Sequence, residues 1–156
     1  MKAKYFIFAL ALAAVFGCDK AEKDVEEPIV AVSSDFVGTV TVDSTSGETF
    51  DNENIEVNFI PAEDGKTCSL IIQDIQFSPK MPLIVTVTIP SITHSSTSKK
   101  ISMECKKVVP LAMGGEFKAY TVTDFSGEIV GDNMTFSLNF GQTPTRFSGT
   151  IIKKAE

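Results

Sequence analysis

Few side chains in this sequence are of kinds that carry out chemistry. It has three cysteines, Cys18, Cys68 and Cys105, a single histidine, His94, and no tryptophan. A hydrolytic triad needs a base steadied by an acid next to its nucleophile. His94 instead stands in the Ser/Thr-rich stretch Ser91 to Ser98 with no acid beside it, which reads as a solvent-facing bridge. A metal centre needs His, Cys or carboxylates clustered at ligand spacing, and Cys68, His94 and Cys105 are widely spaced along the chain. Asp51-Asn52-Glu53 and Asp132-Asn133 are short turn acids that match no calcium loop. No glycine-rich phosphate loop opens a helix. The expectation is a non-enzymatic protein without cofactor or metal.

Cys18 has a different chemistry in prospect. Lys2 and Lys4 form a basic head, Tyr5 to Phe16 is an uncharged apolar run, and Gly17 precedes the cysteine. That order describes an export signal, and the run is short of the roughly 20 residues that cross a bilayer. Val15-Phe16-Gly17-Cys18 resembles the lipobox of bacterial lipoproteins, in which the cysteine thiol is acylated and the chain is cut before it. The resemblance implies cleavage after residue 17 and a lipid anchor on Cys18; several acyl chains hold a protein stably where one does not. Asp19 to Ser34 is polar and acidic, too poor in apolar surface to fold. It reads as a tether reaching on the order of 50 Å when extended. The organisation expected is a signal peptide over 1–17, an acylated tether over 18–34 and a folded domain over 35–156.

Loss of Lys2 and Lys4 with the signal takes the net charge from −6 to −8. An acidic chain without basic clusters is a poor partner for nucleic acid or anionic lipid. The remaining domain of about 120 residues can bury one core. Cys68 and Cys105 make an even pair in an exported protein, which leaves a disulfide open. Two separate buried thiols, acting as small hydrophobes, are the other reading.

The elements that would position these groups are strands. Period-two alternation recurs with Val, Ile, Thr and Phe, and no helical period is sustained. Strands are expected over Phe36–Asp43, around Ile55–Phe59, over Thr67–Phe77 and over Leu83–Ile89, the last stopped by Pro90, which lacks an N–H. Ile101–Lys107 follows, then a loop over Pro110–Gly115. Phe117–Val130 reads as two strands or one bent near Asp124. A turn at Gly131-Asp132-Asn133 leads into Met134–Phe140, and Phe147–Ile151 ends the series. About eight strands joined by short turns pair antiparallel and tend to close, which removes exposed edges. An eight-stranded up-and-down barrel is expected, with a two-sheet sandwich as the alternative.

From Phe36 onward the pattern resembles the calycin-like β-barrel domain lipoproteins of Gram-negative gut bacteria. The resemblance rests on Phe36-Val37-Gly38-Thr39-Val40, on Leu70 to Phe77 with the Met81-Pro82 turn, on Thr88-Ile89-Pro90-Ser91-Ile92, and on Phe125-Ser126-Gly127 through Asn133 to Phe136. It implies a lipocalin-type barrel at the outer membrane, facing the periplasm or the cell surface. The glycine-any-tryptophan signature of true lipocalins would fall at Gly38-Thr39-Val40, where no tryptophan stands. Asp43-Ser44-Thr45 looks like the O-glycan attachment motif of the same bacteria. The charged run after Cys18 is similar to their surface-export signals and equally suits a soluble spacer.

Barrels of this size either fill with side chains or hold one small ligand. On the ligand reading, Phe59, Val87, Met103, Phe136 and Leu138 line a lumen that takes a small apolar or amphipathic molecule. On the other reading the barrel is solid and its turns dock on an envelope protein or a glycan.

Overall fold

The computed structural model describes residues 27–44, 47–80 and 83–154. The signal segment, Cys18, Thr45 and the Met81-Pro82 pair lie outside the described residues. The strands are β1 (Ser34–Asp43), β2 (Thr49–Pro61), β3 (Thr67–Ile75), β4 (Val85–Ser96) and β5 (Lys100–Val108). A two-residue hairpin, β6 (Leu111–Ala112) and β7 (Gly115–Glu116), and a 3-10 turn at Lys118–Tyr120 precede β8 (Val122–Val130), β9 (Asn133–Phe140) and β10 (Thr143–Ile151).

Each long strand pairs antiparallel with its neighbours in the order β1-β2-β3-β4-β5-β8-β9-β10, and β10 returns to β1. The ring is therefore a closed eight-stranded antiparallel barrel of calycin-like, up-and-down form, and its closure rules out the sandwich. Its proximal end, where the chain enters at Ser34, carries the turns after β2, β4 and β8. The distal end carries the longer connections after β3 and β5. The small β6–β7 hairpin attaches to β4 through Val87↔Ala112 and Thr88↔Leu111.

Alternation decides which side chains fill the ring. Phe36, Val40 and Val42 of β1 and Met134, Phe136, Leu138 and Phe140 of β9 are buried. Residues between them, such as Thr135 and Ser137, face water. Four strands break that rhythm once each, at Asn54, Asp74, Ser91 and Asp124, whose φ values are 59°, 53°, 58° and 54°. Three of these sit at a register shift in which one strand has an extra residue: Asp74 and Ser91 between β3 and β4, and Asp124 between β8 and β9. Asn54 does the same opposite Thr39 of β1. Each is a bulge that bends its strand and increases local twist.

Several sequence expectations are corrected here. β4 does not stop at Pro90 but runs to Ser96, because Pro90 falls at the Ser91 bulge, where no ladder donor is required. The Ser/Thr-rich bridge is thus largely strand. Pro110–Gly115 contains β6 rather than a plain loop, and Phe117–Val130 is a 3-10 turn followed by a strand bulged at Asp124. Ahead of β1, which begins at Ser34, the Ile29 amide donates to the Thr97 carbonyl at 2.8 Å and Ala31 packs on the core; residues 18–26 lie outside the described residues.

β1 and β10 approach closely at the facing pair Gly38↔Gly149. A Cβ on Gly38 would lie 2.1 Å from the Ser148 carbonyl oxygen and 2.4 Å from the Gly149 Cα. The ring of Phe147 covers the space above Gly149, where a Cβ would meet its Cζ at 2.5 Å, so an aromatic packs over the glycine. Gly38→Ala is expected to cost about 2–3 kcal/mol by overpacking. Gly65→Ala, in a turn at φ 70° with nothing within 4 Å, is expected to cost about 1 kcal/mol. Urea unfolding of both variants checks this, and equal losses would show that the seam accommodates a methyl group.

Candidate functional site

The lumen is the first place to look for a site, and large apolar side chains turn into it. Phe125, Phe136 and Phe147 stack in sequence across neighbouring strands, with centroids 5.3 and 5.2 Å apart. At the distal end Tyr120 stacks on Phe77 at 4.4 Å and on Phe117 at 4.8 Å, and Phe140 meets Phe77 edge-on at 5.0 Å. The 3-10 turn and the connection after β3 thereby close that end with aromatic rings. Asn52 helps to hold this closure. Its Nδ2 donates to the Gln76 carbonyl at 2.9 Å, and its Oδ1 accepts from the Gln76 amide at 2.9 Å, which seats Phe77 in the core.

Phe59, Val87, Met103, Phe136 and Leu138 all point inward and are buried. They belong to one continuous apolar cluster, so the structure brings them together as core. Several surface depressions formed by described residues lie on the outer wall. A groove of about 440 Å³ is bounded by Thr93, Glu104, Cys105, Lys106, Asp124, Phe125 and Ser126. It marks where β4 and β5 part company, since their pairing runs only from Ser96↔Ile101 to Thr93↔Glu104.

Cys68 and Cys105 are both free thiols. They stand on β3 and β5 with β4 between them, so the disulfide left open by the sequence is not formed. Cys68 is buried inside the barrel, and burial pushes its thiol up from 9.0 to about 12. Cys105 is half-buried on the groove.

His94 departs most from expectation. It is an inward-facing residue of β4, only 8 % exposed, and its ring meets Phe59 edge-on at 6.2 Å. Its amide donates to the Lys66 carbonyl at 2.9 Å. Both ring nitrogens are buried, and neither has a hydrogen-bond partner among the described residues. The nearby Asp64 carboxylate, in the turn after β2, is committed to the Lys66 and Thr67 amides and the Thr67 hydroxyl at 2.8–2.9 Å. Those bonds hold it below the usual carboxylate range. Sequence reasoning missed His94 because Pro90 was read as a stop. The alternation Ile92, His94 against Thr93, Ser95 was the signal available.

Ser44, of the glycan-like motif, lies at the turn after β1. Its Oγ accepts from the Glu48 amide at 3.3 Å, while the neighbouring Asp43 is held low by the Thr49 hydroxyl and the Arg146 guanidinium. Among the described residues, no three His, Cys, Asp or Glu side chains are grouped to hold a metal ion. No protein family, curated protein or solved structure matches the chain.

Two outcomes are expected. A buried polar group left unpaired costs about 1–3 kcal/mol, so His94→Leu should leave the apo protein as stable or raise stability by about 1 kcal/mol; a loss of about 2 kcal/mol or more in urea unfolding would show that the imidazole is bonded. Cys68 stays neutral in the folded chain where the unfolded chain ionises. Its contribution is therefore intact below 9.0 and is lost as pH rises towards about 12. Cys68→Ala should flatten that alkaline slope, and in the native protein a thiol reagent should modify Cys105 well before Cys68. An unchanged slope, or Cys68 reacting first, would refute this assignment.

Proposed function

We propose that this chain is a lipid-anchored envelope protein of the calycin-like lipoprotein kind. On this reading it is cut before Cys18, held at the outer membrane by acyl chains on that cysteine, and acts as a non-catalytic interaction module. The observation that carries the reading is the continuous apolar core that the inward side chains form. The aromatic stack of Phe125, Phe136 and Phe147 occupies the space a carried molecule would need, and the ring cluster around Phe77 stops the distal mouth. With these rings turned inward, the outer wall is the surface the barrel offers to a partner.

The groove where β4 and β5 separate is the part of the outer wall best suited to a partner. It combines apolar floor (Phe125) with both signs of charge (Glu104, Lys106 and Asp124). Interfaces that combine an apolar centre with a charged rim gain packing energy from the first and register from the second. The docked partner is a protein or glycan of the same envelope, and the short N-terminal tether keeps the barrel near it.

Full-length protein from its own host tests this. Native mass spectrometry is expected to give the acylated mass alone, before and after incubation with host lipid extract. A photo-cross-linking residue in place of Lys106 should capture one discrete partner that the same residue in place of Thr150 does not. A stoichiometric small-molecule adduct would replace the interaction reading with a carrier. Equal labelling from both positions would discard the groove. Cys18→Ser should move the protein from the membrane to the soluble fraction, and its retention there would discard the anchor.

A further inference from the structure

His94 and Met103 are register partners at the proximal end of the β4–β5 ladder, and both side chains turn into the barrel, 8 % and 2 % exposed. Directly opposed residues on one face of an antiparallel pair have Cβ atoms about 5 Å apart. The imidazole and the thioether therefore face the same part of the interior. Cys68 stands on β3, on the other side of β4, where Thr67↔Thr93 and Cys68↔Ile92 are paired. That places it one diagonal step from His94, a separation of about 7–8 Å between Cα atoms on a sheet. Cys68 also faces inward and is 1 % exposed. The edge of Phe59 closes the same space.

The interior thus contains an imidazole with no hydrogen-bond partner among the described residues, a thioether and a thiol, all buried. Of the other buried polar side chains, Asn52 has its amide satisfied in both directions and Thr145 donates its hydroxyl to the Thr143 carbonyl. The one carboxylate beside His94, that of Asp64, is already occupied by its own turn. Imidazole, thioether and thiolate without oxygen ligands select soft monovalent copper or silver over hard divalent ions. We infer that His94 and Met103, joined by Cys68, bind a single copper(I) ion inside the proximal end of the barrel. The cation accepts lone pairs from the histidine nitrogen and the methionine sulfur. Cys68 joins as its S–H bond breaks and a metal–sulfur bond forms, the proton passing to solvent, and no electron is exchanged. This site is independent of the outer-wall partner proposed above.

The test uses reduced full-length protein in detergent, carrying Cys105→Ser and 13C-labelled methionine methyl groups. Silver(I), a redox-inert probe for copper(I), should shift the Met103 methyl signal and saturate at one equivalent. Met113, 65 % exposed, should stay in place as the control for casual thioether contact, and zinc(II) should move neither. In competition with a copper(I) chelator, His94→Leu and Met103→Leu should each weaken binding about tenfold or more, as loss of a ligand does. A stationary Met103 signal would overturn the proposal, leaving an enclosed water as the partner of the imidazole. Movement of Met113 instead, or unchanged wild-type affinity in both variants, would overturn it as well. The methyl spectrum needs no substitution at the site, so it decides the matter even where a variant fails to fold.

Discussion

Closure is the constraint on which the rest of this molecule depends. A sheet of eight strands has two edges unless its first and last strands meet, and here β1 meets β10 along Phe36↔Ile151 to Val42↔Thr145. Closing so small a ring forces strong twist and coil. The chain meets that demand with bulges at Asn54, Asp74, Ser91 and Asp124 and with the side-chain-free contact of Gly38 and Gly149. Asn and Asp, which supply three of the bulges, tolerate positive φ better than most residues do. Surface ion pairs such as Lys100–Glu128 and Arg146–Asp43, each at 3.1 Å, lie across strand neighbours and add little by comparison, since exposed pairs are worth about 0–1 kcal/mol.

A closed ring of this circumference has an interior that side chains can fill, and whether it does depends on what faces inward. Two rows of large residues, Phe125–Phe136–Phe147 and Phe77–Phe140 with Tyr120, meet across strands. With these in place the hydrophobic term is realised by the protein's own rings, and an apolar guest would have to displace them. The same packing sets the terms for polar residues inside. Asn52 is admitted because the chain at Gln76 satisfies its amide, whereas the His94 ring has no hydrogen-bond partner among the described residues. Native interiors rarely leave such a group unpaired without a reason, and the contrast between the two singles out the proximal end.

The fold class was readable because burial on one face only imprints a period of two. Ile55, Val57 and Phe59, or the run from Met134 to Phe140, could hardly be anything else. The bulges were not readable. Asn54, Asp74, Ser91 and Asp124 are polar residues in strands that hold several others, and although Asn and Asp tolerate positive φ, nothing marks these positions out from the remaining Asn, Asp and Ser of the strands. Asp124 alone showed indirectly, through a strand too long to be straight. The inward residues anticipated as liners were correctly placed, yet alternation cannot separate a lined cavity from a filled core; that depends on volumes summed over eight strands. His94 was lost for the related reason that a proline was taken to end a strand that instead continues through a bulge.

Pro90 also explains the one imperfection in the ring. Along β4 the partner on one side changes, from β5 at Thr93–Ser96 to β6 at Val87–Thr88. At the changeover a ladder would leave an amide facing nothing, and an unpaired backbone donor is costly unless water reaches it. Proline has no such donor, and the Ser91 bulge on its other side absorbs the matching gap against β3. Pro90 therefore removes one donor from the stretch over which β4 switches partners. The wall opens into the groove beside Cys105 and Phe125 at the place where that opening costs the backbone least. A feature placed where the lattice tolerates it can be reshaped without endangering closure, which is why this part of the wall, rather than the seam at Gly38, is where recognition could evolve.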